Sequence, residues 1–67
     1  MTPDRLRECL SLLHWSQRGL GAILNRQEGT VRQWARGTVR VPDDVAYWLE
    51  VMAQHAEKNP PPVRQSR

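Results

Sequence analysis

The sequence predicts an all-α protein, a compact bundle of four helices with a helix-turn-helix pair at its centre. Three observations predict it. Apolar residues recur at helical spacing in four stretches: Leu6, Cys9, Leu10 and Leu13; then Leu20, Ile23 and Leu24; then Val31 and Trp34; then Val45, Trp48, Leu49 and Met52. Helix-start residues precede three of these stretches, at Thr2-Pro3-Asp4, Ser16 and Pro42-Asp43-Asp44. Residues that tolerate a left-handed backbone, Asn25 and Gly37, close the middle two.

The first helix begins with Thr2 as cap, Pro3 in the first helical position and Asp4 at the positive end of the dipole. It should run to about Leu13, with its apolar stripe inward and Arg5, Arg7 and Glu8 toward water. Cys9 is the only cysteine, so the chain holds no internal disulfide and no cysteine-based zinc site; within an apolar stripe it acts as a small core residue.

Ser16 caps the second helix, expected over Gln17 to Leu24. Trp15 precedes the cap and Leu20 follows it by four residues, the spacing of a hydrophobic staple. The other reading of Trp15 is an exposed ring against a sugar-phosphate backbone. Gly21 suits a close crossing of two helices, whereas Gly19, facing outward, has no comparable reason. Asn25 stands where the turn needs a positive φ.

The third helix is expected over Gln27 to Arg36. Its inward residues are Val31 and Trp34, which leaves Gln27, Glu28, Arg32, Gln33 and Arg36 outward. These are the side-chain types that bond to base edges and phosphates in a DNA groove. After the Gly37–Val41 loop, the last helix should run from Pro42 to about Lys58 and close the core over the middle pair. Tyr47, Val51 and either Ala46 or Ala53 leave apolar surface outside its core stripe, which reads as a subunit interface formed by Tyr47, Val51 and Trp48.

Charge is divided along the chain. The net charge is +3, and nine of the ten basic residues are arginine. Residues 17–40 carry Arg18, Arg26, Arg32, Arg36 and Arg40 against Glu28, whereas residues 41–57 carry Asp43, Asp44, Glu50 and Glu57 with no basic residue. One surface therefore faces a polyanion and another avoids it; an ordinary solvated charged surface is the alternative.

Here the motif meets a resemblance. Gln17, Leu20, Gly21, Leu24, Asn25, Val31 and Trp34, with Gly37 closing the helix and Val41-Pro42 opening the next, resemble the pattern of the Cro/repressor (Xre-type) helix-turn-helix family over about residues 6–56. Gly21 stands for the family's small Ala and Asn25 for its turn Gly. Gln27 replaces a frequent Ser or Thr cap, and Gly29 a frequent contacting side chain. The resemblance implies a lambda-repressor-like fold with the third helix in the major groove. Base contacts would then fall to Arg32 on guanine, Gln33 on adenine, Gln27 on a base or phosphate, and Glu28 on cytosine unless it pairs with Arg32. Phosphate contacts would fall to Gln17, Arg18, Arg26, Arg36 and Arg40.

By the same resemblance the chain is expected to be a transcriptional regulator, acting as a repressor or autorepressor. It would bind a palindromic operator in double-stranded DNA as a homodimer, with recognition helices about 34 Å apart. The alternative is a protein-interaction module that keeps the scaffold without reading DNA. An enzyme is not expected: the sequence has no Cys/His cluster, no phosphate loop and no spaced nucleophile–base pair, and neither a cofactor, a metal nor a small-molecule substrate is implied. No apolar run approaches the roughly 20 residues of a membrane span. The start MTPDRLREC lacks a signal-peptide core, so the expected place is the cytoplasm, at the nucleoid through DNA. Residues 1–58 form the one domain, and 59–67 are expected to be an extended Pro/Arg tail.

Overall fold

The computed structural model describes residues 1–60 as four helices and, among the described residues, no strand. The helices are α1 (Pro3–Leu13), α2 (Gln17–Leu24), α3 (Glu28–Arg36) and α4 (Asp43–Lys58). The expected Pro/Arg tail lies, from residue 61 onward, outside the described residues.

Local chemistry explains where each helix begins. The Thr2 hydroxyl accepts from the Arg5 N–H at 3.0 Å, and the Ser16 hydroxyl from the Gly19 N–H at 2.8 Å. Each satisfies one of the donors that a helix start leaves unpaired. Gly19 now has its reason: a Cβ there would lie 3.1 Å from the Ser16 Oγ and crowd the cap. α3 starts one residue later than expected, at Glu28, because Gln27 takes the cap position with extended backbone and its side chain makes no cap bond.

Three helices end alike. His14, Asn25 and Gly37 adopt the left-handed conformation at φ 60°, 56° and 83°. In each case two backbone bonds close the end, from Trp15 to Leu10 and His14 to Ser11, from Arg26 to Gly21 and Asn25 to Ala22, and from Thr38 to Gln33 and Gly37 to Trp34. This is the Schellman closure. Its repetition turns the chain sharply three times and keeps the connections short.

α1 packs on α4 and α3, and α2 packs on α3. The core joins Leu6 and Leu10 of α1, Leu20 of α2, Val31, Trp34 and Ala35 of α3, and Val45 and Leu49 of α4, with Val41 from the loop. Close approach of α2 to α3 depends on Gly21, where a Cβ would stand 3.0 Å from the Arg26 carbonyl oxygen and 3.6 Å from Val31 Cγ2. Trp15 stacks on Trp48, with ring centroids 5.6 Å apart and planes at 29°. The stack binds the α1–α2 connection to α4.

Two expectations are corrected, at Ile23 and Arg5, and two are narrowed, at Ala53 and Arg7. Ile23 is 51% exposed, because Leu20, Gly21 and Leu24 define the buried side of α2 and Ile23 lies about 100° round the helix from their centre. Ala53 is fully buried and contributes nothing to the outer face of α4. Arg5 does not simply face water: its Nε and NH2 donate to both oxygens of Glu50 at 2.8 and 2.6 Å, and NH1 donates to Glu8 at 2.9 Å. Arg7 reaches the Ala35 carbonyl, near the end of α3, while also pairing with Asp4.

The Arg5 fork holds the Glu50 carboxylate below its ordinary value of 4.5, the hydrogen bond outweighing a small opposing effect of burial. A depressed carboxylate stabilises the fold above its unfolded pKa and loses that contribution as pH falls through its folded pKa. Stability should therefore decline below about pH 4.5, and Glu50→Gln should flatten this part of the profile. Thermal unfolding of both proteins from pH 3 to 7 checks it: the variant should be less stable at neutral pH, and the gap should narrow as pH falls.

Candidate nucleic-acid interface

α3 presents its outward residues on one side. At 100° per residue, Gly29, Arg32, Gln33 and Arg36 fall within about 100° of one another, opposite Val31, Trp34 and Ala35 in the core. All four are exposed, as are Gln27 and Glu28 at the helix start. Val31 and Trp34, 0% and 2% exposed, anchor the helix from beneath. Arg7 holds its last turn from α1. The outward row is thus set on a fixed element.

Glu28 Oε2 accepts from Arg32 NH2 at 3.1 Å, the one-turn pair that its spacing allows. Both side chains are about half exposed, so the pair is weak and exchangeable. Gln33 and Arg36 make no side-chain hydrogen bond among the described residues.

Basic residues surround this row. Arg26 lies at the α2–α3 turn with its guanidinium carbon 5.8 Å from the Trp34 ring centroid. That contact orients the cation over an aromatic face while the residue stays exposed. Arg18 is exposed on the first turn of α2, beside a half-buried Gln17. Arg40 follows α3 and pairs with Asp43 at 3.0 Å, both side chains being about four-fifths exposed. Among the described residues, Arg18, Arg26 and Arg36 form no ion pair. A shallow cleft of about 310 Å³ opens beside the end of α3, walled by Pro3, Trp34, Gly37, Val39, Arg40 and Val41.

The predicted contact residues therefore divide by element. Gln27, Glu28, Arg32, Gln33 and Arg36 share α3 and its cap, Gln17 and Arg18 open α2, and Arg26 and Arg40 occupy the connections on either side of α3. Tyr47, Val51 and Trp48 belong to α4. Tyr47 and Val51 are 74% and 44% exposed, whereas Trp48 is half-buried against Trp15.

Two residues gain importance that sequence reasoning did not give them. Arg7 braces α3 from another helix, a contact that no sequence spacing announces. At Gly29 an added Cβ would meet nothing within 4 Å. The fold itself makes no demand for glycine at this outward position in the first turn of α3.

No family model matches this chain, and neither a curated protein nor a solved structure is significantly similar to it.

Proposed function

We propose that this protein is a sequence-specific DNA-binding transcriptional regulator of the Cro/repressor (Xre-type) helix-turn-helix kind. It acts as a repressor that occupies a palindromic operator as a homodimer, with α3 in the major groove. The observation that carries this reading is the outward row of α3, Arg32, Gln33 and Arg36 about a bare Gly29, on a helix anchored by Val31 and Trp34.

The chemistry supports it at each position. Arg32 has the fork that bonds guanine O6 and N7, and Gln33 the amide that bonds adenine N6 and N7. Gln27 and Glu28 stand at the entry of the same helix, where Glu28 steadies Arg32 before DNA arrives. Arg18, Arg26, Arg36 and Arg40, with Gln17, suit phosphates on either side of the groove. Gly29 lets the helix backbone come close to base edges, a use that glycine serves and that the fold does not otherwise require.

Selection of bound sites from random duplex, followed by a salt titration, tests the reading. The expected winners are palindromes, bound at least about a thousandfold more tightly than random duplex. The affinity should fall steeply with salt, as phosphate neutralisation requires. Salt-dependent binding without sequence preference would overturn it in favour of a non-specific DNA binder, and no salt-dependent duplex binding would overturn it in favour of a protein-interaction module.

A further inference from the structure

α4 buries one side and leaves the other without a partner. The exposed residues Asp44, Tyr47, Val51, Gln54 and Lys58 succeed one another at intervals of three, four, three and four. That is the spacing of a helix–helix seam, here running the length of α4 and opposite the side that carries Leu49 and Ala53 into the core. Its centre holds Tyr47 at 74% exposure and Val51 at 44%. Its ends carry opposite charges, Asp44 in the first turn and Lys58 in the last. Among the described residues neither Asp44 nor Lys58 takes part in an ion pair.

We propose that a second copy of this chain covers this face, the two α4 helices packing antiparallel about a two-fold axis at Val51. Charge fixes the direction. A parallel pair would set Asp44 against Asp44 and Lys58 against Lys58. The antiparallel pair sets Asp44 against the partner's Lys58 at both ends, and Tyr47 beside the partner's Gln54. Val51 then meets its own copy at the centre, as an isologous interface requires. Trp48 is excluded from the seam by its stack on Trp15 and lies at the margin. The pairing rests on the homodimeric part of the proposed function and on none of its DNA contacts. Its test contains no DNA, so either can fail alone.

Variants with one added cysteine test the register in the full chain, whose own Cys9 is fully buried. Val51→Cys should form a disulfide-linked dimer under mild oxidation, because the two positions meet at the axis. Lys58→Cys should not, since its two copies would lie about 21 Å apart, at 1.5 Å rise per residue on both sides of the axis. Sedimentation of the unmodified protein should show a dimer. Asp44→Lys and Lys58→Asp should each weaken it on the order of tenfold, and the two together should restore most of it. A monomer throughout the micromolar to millimolar range would overturn the proposal and leave the face to a different protein. Cross-linking at position 58 as well as at 51 would overturn it in favour of parallel pairing. A double variant as weak as the single ones would also overturn it.

Discussion

Replacing Trp34 by alanine is expected to cost about 3–5 kcal/mol, the usual range for removing a large aromatic side chain from a core. The residue is 2% exposed and belongs to the core cluster that draws on all four helices. A 67-residue domain has little surplus stability: at about 0.05–0.15 kcal/mol per residue, the whole fold is worth some 3–10 kcal/mol. Trp34→Ala should therefore leave a largely unfolded protein at 25 °C. Urea denaturation monitored by far-ultraviolet circular dichroism measures this. A loss below about 1 kcal/mol would mean that Trp34 is not the centre of the core. The same change removes the ring beneath Arg26, so function and stability fall together here, and DNA binding by this variant does not separate folding from the placement of Arg26.

How far the sequence foretold this architecture depends on the range of the interaction involved. Thr2, Ser16, Asn25 and Gly37 act on backbone groups within five residues of themselves, and each occupies the role that its chemistry predicts. Core stripes were legible for the same reason, since a helix repeats its faces every few residues. Ile23 misled because it is apolar and helically spaced from Leu20; only the position of α3 decides that Gly21 and Leu24, and not Ile23, face inward. Arg5 and Arg7 carried no signal of their long-range partners, because Glu50 and the Ala35 carbonyl lie 45 and 28 residues away. His14 likewise takes a left-handed conformation set by the turn into Trp15, where its residue type is tolerated and not required. At the candidate interface the outward row could be read from α3 alone. The emptiness around Gly29 and the position of Arg26 over Trp34 could not, because both depend on neighbouring elements.

Arg32→Ala is expected to cost about 1–3 kcal/mol of DNA affinity, and to lose discrimination at one base position in each half-site. Two neighbours make the assignment testable. Arg36→Ala should weaken all sequences evenly and reduce the dependence of log affinity on log salt by about one unit per phosphate contact, because a phosphate contact carries no base information. Gly29→Ala should have effects of opposite sign on folding and on binding. With open space around the new Cβ, helix propensity favours alanine, by at most the roughly 0.5–1 kcal/mol of a helix interior because Gly29 lies in the first turn, so the fold is stabilised. The added methyl stands at the entry of the outward row, one turn before Arg32 and Gln33, and should hold the helix away from the groove. Affinities of the three variants for the selected operator and its single-base substitutions, beside their urea midpoints, measure all of this. Uniform loss across bases for Arg32→Ala would make it a phosphate clamp. Stronger binding by Gly29→Ala would place the groove-facing surface elsewhere, because stabilising a helix that reads DNA by close approach cannot compensate for the space its backbone needs.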